Sequence, residues 1–337
     1  MSRVFLTGGS GVVGGAVVER LVARGDEMVG LARSEAAAEV LQRRGVRPLR
    51  GDLFDAEVMA RGMEGCVIVF HVAGVNQLCA DDPAPMLRVN VDGAAAAVHA
   101  AARAGVPRLV HTSSAATIGE ERGTVGRESS PHRGWYLSTY ERSKTEGEQA
   151  ALAAGSETGV EVVCVNPSSV QGPGRAGGTG RILLAFLAGR LKLFVDTNAS
   201  LVDIADCAEG HLLAAERGAA GERYLLNGMT LTITEALALA SKVAGVERRP
   251  RLVPRAAARL GAGVVEGAFR LVRRQPPVCR EMVRTLLHGH RYDGSRAERE
   301  LGLRYTDPRE TVRRTVEWAR AEGLLRAPDR GENGGVA

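Results

Sequence analysis

The chain is poor in aromatic residues and in lysine. Aromatic side chains make up 4% of the 337 residues, and Lys144, Lys192 and Lys242 are the only lysines among 44 basic residues. The formal net charge is +5 and no basic stripe is interleaved with aromatics, so the sequence does not predict nucleic-acid binding. There is no run of 18 uncharged apolar residues, and we therefore predict no membrane-spanning helix. The hydrophobic fraction of 45% is typical of a globular protein of one large domain or two smaller ones.

Metal-binding and redox motifs are also missing. The seven histidines form no HExxH and no cluster with cysteine, so we predict no metal site. The first residues lead directly into a glycine-rich motif, without the cationic segment and apolar core of a secretory signal. The cysteines are odd in number and form no CxxC pair, which predicts reduced thiols in a cytoplasmic protein. They are Cys66, Cys79, Cys164, Cys207 and Cys279.

Short apolar runs alternate with helical patterns over the first half of the chain. The runs lie at residues 4–6, 28–32, 46–51, 67–72, 109–112 and 160–166, and the helical patterns at 16–24, 36–44, 89–104 and 143–154. This alternation predicts right-handed βαβ units, and hence an α/β fold with a doubly wound parallel sheet of the Rossmann type.

The alternation weakens after residue 166. A glycine-rich loop follows at 172–180, then strands at 201–204 and 223–226 around a helix at 206–217, and a mainly helical region from 231. We predict a dinucleotide-binding domain from residues 1–170 and about 196–228. A smaller, mainly helical substrate lobe is predicted from 171–195 and about 229–326, with a flexible tail at 327–337.

A glycine-rich turn at 7–14, TGGSGVVG, follows the first strand and opens the first helix. Gly8 permits the tight turn, Gly11 lets the backbone approach a pyrophosphate, and Gly14 allows close helix–strand packing. The free N–H groups of the helix start favour a phosphate. The spacing is GxxGxxG, and an ordinary βα loop is the alternative interpretation.

Two positions beyond the turn bear on which dinucleotide is bound. Arg33 ends the second strand, 19 residues after Gly14, where an acidic residue holds the ribose of NAD and an arginine accommodates the 2′-phosphate of NADP. Arg33 therefore favours NADP over NAD, with Ser34 as a second donor, although a solvated loop arginine is the alternative. Asp52 ends the third strand, where it can accept a hydrogen bond from adenine or cap a helix.

Tyr140 and Lys144 are spaced i, i+4 and so share one helix face. Composition alone predicts about 0.04 such YxxxK pairs, so the pair is specific. A neighbouring ammonium lowers the pKa of a phenol, which lets tyrosine exchange a proton near neutral pH. Ser113 and Ser114 follow the strand at 109–112, where a hydroxyl can hold a carbonyl oxygen that gains negative charge.

Together these segments resemble the extended branch of the short-chain dehydrogenase/reductase superfamily. Within it the chain is most similar to dihydroflavonol reductase-like proteins, including those named hopanoid-associated sugar epimerases. The resemblance covers about residues 3–322. Its motifs are the turn at 7–14, GDL at 51–53, HVAG at 71–74, VNVDG at 89–93, HTSSA at 111–115, YxxxK at 140–144, NPSSVQGP at 166–173, and segments 201–211 and 292–305.

The resemblance implies roles for individual residues. Tyr140 is the general acid/base, Lys144 tunes it and binds ribose, and Ser114 is the catalytic serine with Ser113 as fallback. Asn90 is either structural or part of a proton relay. The implied cofactor-binding set is Gly8, Ser10, Gly11, Val12, Val13, Gly14, Arg33, Asp52, Leu53, Val72, Ala73, Gly74, Thr112, Tyr140, Lys144, Pro167 and Ser169. The candidate substrate contacts are Ser113, Asn76, Trp135 and Asn166. Trp135 shortly precedes the YxxxK pair, so it can line an apolar substrate pocket or pack under the loop.

The substrate region matches the family less well. Many nucleotide-sugar enzymes have an arginine just before the strand that matches 201–204, and residues 196–200 contain none. Arg175, Arg181 and Arg190 are possible substitutes. Residues 251–274 form an arginine-rich amphipathic pattern, for which we favour a lobe helix with a solvated basic face over contact with an anionic membrane.

The sequence therefore favours an NADP(H)-dependent reductase of a small-molecule ketone or aldehyde. A sugar epimerase or dehydratase with tightly bound NAD(P) is the first alternative. A dinucleotide-sensing regulator without chemistry is the second, which the complete set of Ser114, Tyr140 and Lys144 disfavours. A homodimer is the usual assembly of the resembled family.

Overall fold

The computed structural model describes residues 2–325, so the predicted tail at 327–337 lies outside the described residues. Twelve strands are present in this part of the chain: β1 (Arg3–Thr7), β2 (Glu27–Ala32), β3 (Arg47–Arg50), β4 (Ile68–His71), β5 (Arg108–Thr112), β6 (Glu161–Pro167), β7 (Ser169–Gln171), β8 (Leu193–Val195), β9 (Asn198–Asp203), β10 (Arg223–Leu226), β11 (Met229–Thr232) and β12 (Arg251–Val253).

The helices of the described residues are α1 (Val12–Arg24), α2 (Glu35–Arg43), α3 (Ala56–Met63), α4 (Ala84–Leu87), α5 (Gly93–Arg103), α6 (Thr139–Thr158), α7 (Gly178–Leu187), α8 (Ile204–Arg217), α9 (Ile233–Ala244), α10 (Arg255–Leu271), α11 (Arg280–His288) and α12 (Pro308–Ala321). A 3-10 turn spans Ala115–Ile118, and π-helical turns span Arg88–Asp92 and Ala297–Leu301.

Seven strands form one parallel sheet in the order β10-β6-β5-β4-β1-β2-β3. The chain moves outward from β1 to β3 and then returns to the other side of β1 at β4. Ligands of open α/β sheets bind at such a reversal, beyond the carboxyl ends of the strands. The predicted doubly wound Rossmann sheet is therefore confirmed.

Both faces of the sheet are covered by helices. On one face α1, α2 and α8 bury Val17, Leu41 and Leu212 among the strand side chains. On the other, α3, α5 and α6 bury Met59 and a set of alanines that allows close helix packing. Strands that are buried on both faces have continuous apolar sequences, and for this reason they could be predicted from the apolar runs.

The C-terminal half adds a smaller set of elements. β7, β9 and β11 form a three-stranded sheet, and β8 pairs with β12. Buried side chains of α7, α9 and α12 form a separate apolar cluster that includes Phe186, Leu237 and Val316. These elements surround the open side of the large cavity described below.

Three helix boundaries that bear on the site differ from the prediction. α1 begins at Val12, four residues before the predicted start at 16. α6 begins at Thr139, four residues before the predicted start, because Ser138 caps it by accepting a hydrogen bond from the Glu141 N–H. Tyr140 therefore lies in the first turn of α6. The predicted helix at 89–104 begins with the π-helical turn Arg88–Asp92, which joins α4 to α5 and is of a type common at functional sites.

The prediction that all five cysteines are reduced is wrong for two of them. Cys79 and Cys279 form a disulfide across 200 residues of sequence, whereas Cys66, Cys164 and Cys207 are free and buried. Sequence spacing could not reveal this pair, because the loop after β4 and the start of α11 become neighbours only in the folded chain. No helix of the described residues is long and apolar enough to cross a membrane.

Candidate active site

The glycine-rich turn lies between β1 and α1, at the reversal of strand order. Gly8 has φ +73°, and a Cβ there would lie 2.6 Å from the backbone nitrogen of Ala73. A Cβ on Gly14 would collide with the Gly8 carbonyl oxygen. The space in front of Gly11 is open apart from that same oxygen, at 3.2 Å. Backbone atoms therefore pack closely against the turn at Gly8 and Gly14, whereas the space at Gly11 is open enough for a pyrophosphate to approach the backbone.

The start of α1 fits an anionic ligand. Gly11 is its N-cap, no side chain caps the free N–H groups, and the first turn carries no acidic residue. These N–H groups attract negative charge. Arg44 stabilises the turn from the other side, because its guanidinium donates hydrogen bonds to the carbonyls of Gly9 (2.7 Å) and Gly11 (3.2 Å).

The predicted selectivity residues lie at the same edge of the sheet. Arg33 follows β2, is exposed, and lines the cavity. Ser34 caps α2 by accepting a hydrogen bond from the Ala37 N–H. Asp52 also lines the cavity and accepts a hydrogen bond from the Phe54 N–H, whereas Asp55 caps α3. Asp52 therefore lines the cavity and is not the cap of α3, and its contact with adenine stays a prediction.

Tyr140 and Ser114 come together on the cavity wall. Burial raises the pKa of Tyr140, and a hydrogen bond from Ser114 and the charge of Arg175 oppose this effect in part. The expected lowering of this pKa by Lys144 is not seen, since the charge that acts on the phenol is that of Arg175. A pKa above its ordinary value keeps the phenol of Tyr140 protonated at neutral pH, so Tyr140 can donate a proton.

Lys144 lies one turn beyond Tyr140 and is buried. Its Nζ donates a hydrogen bond to the Thr112 carbonyl at 2.7 Å. Burial lowers the pKa of Lys144 to about 8, although the negative charge of Glu148 opposes the shift. A Cβ on Gly74 would lie 3.5 Å from this ammonium, so the absence of a side chain at Gly74 leaves the ammonium open to the cavity.

Asn90, in the π-helical turn, joins three segments around the site. Its amide donates hydrogen bonds to the Val75 carbonyl and to Ser143 Oγ, both at 2.9 Å, and its oxygen accepts one from the Val75 N–H at 2.7 Å. This arrangement fixes the loop after β4 against α6. All polar atoms of the Asn90 side chain are engaged within the protein, which favours the structural role over the proton relay.

Three buried histidines lie beneath the site. Burial and the charge of Lys144 lower the pKa of His71 to about 3, and the same causes lower the pKa of His111 well below its ordinary value. Burial lowers the pKa of His211 to about 4. His71 hydrogen bonds with Thr7, and His211 with Thr112. These rings are therefore neutral and polar supports of the strand ends.

A single cavity of about 1850 Å³ joins the glycine-rich turn to the C-terminal elements. Its volume exceeds the roughly 300–1,000 Å³ of a typical small-molecule pocket, so a dinucleotide and a second molecule can share it. All predicted cofactor-binding residues line it. So do the catalytic set and two of the substrate candidates, Ser113 and Asn76.

Two predicted substrate residues lie elsewhere. The side chain of Trp135 is half exposed, and its ring packs on the Arg133 guanidinium outside the cavity. Asn166 is fully buried behind the site, where its amide donates hydrogen bonds to Glu148 and Thr117. Asn166 thus supports α6 from below and does not contribute to the cavity wall.

Sequence reasoning missed a polar cluster in the cavity wall. His290 and Tyr292 line the cavity, and the Tyr292 hydroxyl lies 3.0 Å from His290 Nδ1. Burial would raise the pKa of Glu120, but hydrogen bonds from His288 and His290 outweigh it and lower the pKa to about 2. Glu120, His288 and His290 are the one group among residues 2–325 whose ligand atoms lie close enough to hold a metal ion. The spacing HxH was the only sequence signal, and Glu120 is about 170 residues away.

The comparisons with known proteins agree with this geometry. A model of the NAD dependent epimerase/dehydratase family matches residues 4–226. A Synechocystis protein named "Putative dihydroflavonol 4-reductase" is 32% identical over 332 residues, which are 96% of each chain. A Stigmatella aurantiaca protein named 4-hydroxy-2-methyl-3-oxo-4-farnesyl-3,4-dihydroquinoline-1-oxide ketoreductase is 33% identical over 307 residues, which are 89% of this chain and 91% of the relative.

A solved structure extends the similarity to almost the whole fold. The crystal structure of gox2253 superposes with a TM-score of 0.84 at 30% sequence identity, and the match covers 97% of this chain and 100% of the other. The C-terminal elements beyond residue 226 are therefore shared as well as the sheet.

Proposed function

Because the chain belongs to the NAD-dependent epimerase/dehydratase family of extended short-chain dehydrogenases/reductases, we propose that it is an NADP(H)-dependent reductase of a ketone or aldehyde. The relatives named as reductases, one of them a ketoreductase, support the reaction class. Arg33 at the end of β2 supports the choice of NADP, because a guanidinium is suited to a 2′-phosphate.

Side chains of the protein bind the substrate and the cofactor and transfer the proton. When bound, NADPH supplies the hydride that reduces the carbonyl carbon and leaves as NADP⁺. Ser114 holds the carbonyl oxygen, and Tyr140 donates its phenolic proton to that oxygen, so hydride and proton together give the alcohol. Lys144 would hold the ribose of the bound cofactor, and its positive charge would help restore the proton to the phenol. The turn at Gly8–Gly14 and the start of α1 bind the pyrophosphate.

The observation that carries the proposal is that Tyr140, Ser114 and Lys144 line the same cavity as the glycine-rich turn, with Ser114 close enough to Tyr140 to act on its pKa. A reductase needs a phenol that starts as an acid, whereas an enzyme that first oxidises its substrate needs a phenolate. Burial raises the pKa of Tyr140, and the phenol is thus ready for reduction.

The test is the variant Tyr140→Phe, with Tyr136→Phe as matched control because Tyr136 does not line the cavity. We expect Tyr140→Phe to lower NADPH-dependent carbonyl reduction by about 10²–10⁴-fold while NADPH affinity stays within about threefold. The control should retain full turnover. Substantial turnover by Tyr140→Phe would refute the assignment.

A second candidate, a nucleotide-sugar epimerase or dehydratase, is favoured by one feature of the cavity. Arg175, Arg181 and Arg190 all line it, and Nε of Arg175 is buried without a hydrogen-bond partner among the described residues. Guanidinium groups are suited to a diphosphate. Calorimetric titration with UDP distinguishes the two functions: binding that is lost in Arg175→Ala would favour the epimerase, and no binding would favour the reductase.

A further inference from the structure

The positive charge of the protein is concentrated in one segment of the C-terminal half. Residues 248–284 contain ten arginines and two acidic residues, a net charge of +8 against +5 for the whole chain. The rest of the chain is therefore net negative. Both acidic residues are engaged inside the protein: Glu266 accepts a hydrogen bond from the Arg280 N–H, and Glu281 accepts one from the Cys79 N–H. The arginines of this segment thus dominate its outer surface.

The same segment exposes large apolar side chains. Leu260, Val264, Leu271 and Val272 have exposed fractions of 72%, 64%, 86% and 62%. Leu260, Val264 and Leu271 lie at spacings of four and seven along α10, so they form one stripe on its outer face. The amphipathic pattern of residues 251–274 is thus present as an exposed apolar stripe, whereas the sequence analysis favoured a solvated basic face. Contiguous exposed apolar side chains mark interaction surfaces.

Arginines border this stripe. Arg259 is exposed in α10 one residue before Leu260, and Arg274 is exposed just beyond the helix end. A groove of about 770 Å³ between α10 and α11 joins the stripe to Arg280 and Arg284. We call the exposed face of α10, its end at 271–274 and this groove the basic apolar surface. Apolar side chains flanked by guanidinium groups fit the boundary between anionic headgroups and acyl chains.

The opposite face of α10 lines the large cavity, through residues that include Ala258, Ala262 and Val265. Val283, in α11, lines both the cavity and the groove. The basic apolar surface is thus the outer side of the wall that encloses the substrate region. α10 alone therefore separates this surface from the cavity.

We propose that the basic apolar surface docks the protein reversibly onto a membrane that contains anionic lipid. Leu260, Val264 and Leu271 enter the interface, and the surrounding arginines contact lipid phosphates. The surface lacks the acidic residues that a self-complementary contact between two copies would need to balance its charge. An anionic bilayer supplies both the negative charge and the apolar layer. The docking does not depend on the proposed reaction.

The experiment is co-sedimentation of the purified full chain with vesicles of phosphatidylcholine alone or mixed with phosphatidylglycerol. We expect binding to the mixed vesicles that weakens as salt is raised, and little binding to phosphatidylcholine. Each arginine near an anionic surface favours binding about fivefold, so Arg259→Gln/Arg274→Gln should bind about 25-fold more weakly. Leu260→Ser/Val264→Ser keeps the charge and should also bind at least about tenfold more weakly.

The matched control is Arg47→Gln/Arg61→Gln, which removes the same charge from exposed positions of β3 and α3. It should change vesicle binding by less than about twofold. Thermal unfolding and NADPH binding of every variant check the fold. Wild-type protein that stays in solution with mixed vesicles, or equal losses in the control, would overturn the proposal. So would a dimer in sedimentation velocity that Leu260→Ser/Val264→Ser dissociates, since the surface would then join two copies.

Discussion

In the proposed function Arg33 selects NADP over NAD, and its replacement by aspartate gives a quantitative prediction. The side chain is exposed at the end of β2, and no hydrogen bond or ion pair holds it within residues 2–325. Replacement should therefore leave the fold intact, because substitutions at such exposed positions rarely change stability by more than about 0.5 kcal/mol. Ser34, the N-cap of α2, is retained.

The magnitude follows from the contact that is lost. A charge-assisted hydrogen bond contributes about 1.5–3 kcal/mol, which corresponds to about tenfold to 150-fold in affinity. Arg33→Asp should weaken NADPH binding by at least this factor, because it also places a carboxylate beside the 2′-phosphate. NADH lacks that phosphate, so its affinity should stay equal or rise, since aspartate can accept hydrogen bonds from the ribose hydroxyls.

Fluorescence titration of both reduced dinucleotides measures the effect without turnover. Arg47→Asp is the matched control: it makes the same charge change at the amino end of β3, where Arg47 does not line the cavity. The control should keep the wild-type ratio of the NADPH and NADH affinities. An equal loss of both affinities in Arg33→Asp would refute the assignment of Arg33 to the 2′-phosphate.

Three further predictions concern the turn, the disulfide and the buried histidines. Gly14→Ala should abolish dinucleotide binding and lower the melting temperature, because its Cβ would collide with the turn backbone; wild-type affinity by calorimetry would contradict this. Alkylation of the unfolded, non-reduced protein should modify three thiols, and five modified thiols would contradict the disulfide. Because the disulfide closes a loop of 200 residues, the Cys79→Ser/Cys279→Ser variant should lose up to about 5 kcal/mol of unfolding free energy in urea. The pKa values of His71 and His211 in the folded protein are about 3 and about 4, below the ordinary 6.5 of the unfolded chain. As pH falls below 6.5 the unfolded chain binds protons that the folded protein does not, and the free energy of unfolding therefore falls. Each ring should cost about 2 kcal/mol by pH 5, and an unfolding free energy that is constant from pH 7 to 5 would rule this out.

The sequence located the features that depend on neighbouring residues. The turn at Gly8–Gly14 is recognisable because its glycines are required within one βα unit. Tyr140 and Lys144 are recognisable because one helix turn separates them. The environment of this pair could not be predicted in the same way. The expectation that Lys144 lowers the pKa of Tyr140 took no account of burial or of the charge of Arg175, which lies in the loop after β7.

Features built from distant segments could not be read from the sequence. Cys79 and Cys279 meet only because α11 packs against the loop after β4. Glu120 and His290 meet because the turn after β5 faces the chain that follows α11. Closeness in sequence can also mislead. Trp135 lies near Tyr140 in sequence, which suggested that it lines the cavity, but its ring packs on Arg133 outside the cavity.

The most direct test of the account is the identity and exchange of the bound dinucleotide. The protein is purified without added cofactor and denatured, any released dinucleotide is identified, and a second sample is titrated with NADPH and NADH. A reductase that uses its cofactor as a cosubstrate should release no stoichiometric NAD(H) and should bind NADPH more tightly than NADH. Stoichiometric NAD(H) in the released material would contradict the account and would instead indicate an epimerase or dehydratase that retains its cofactor through each turnover.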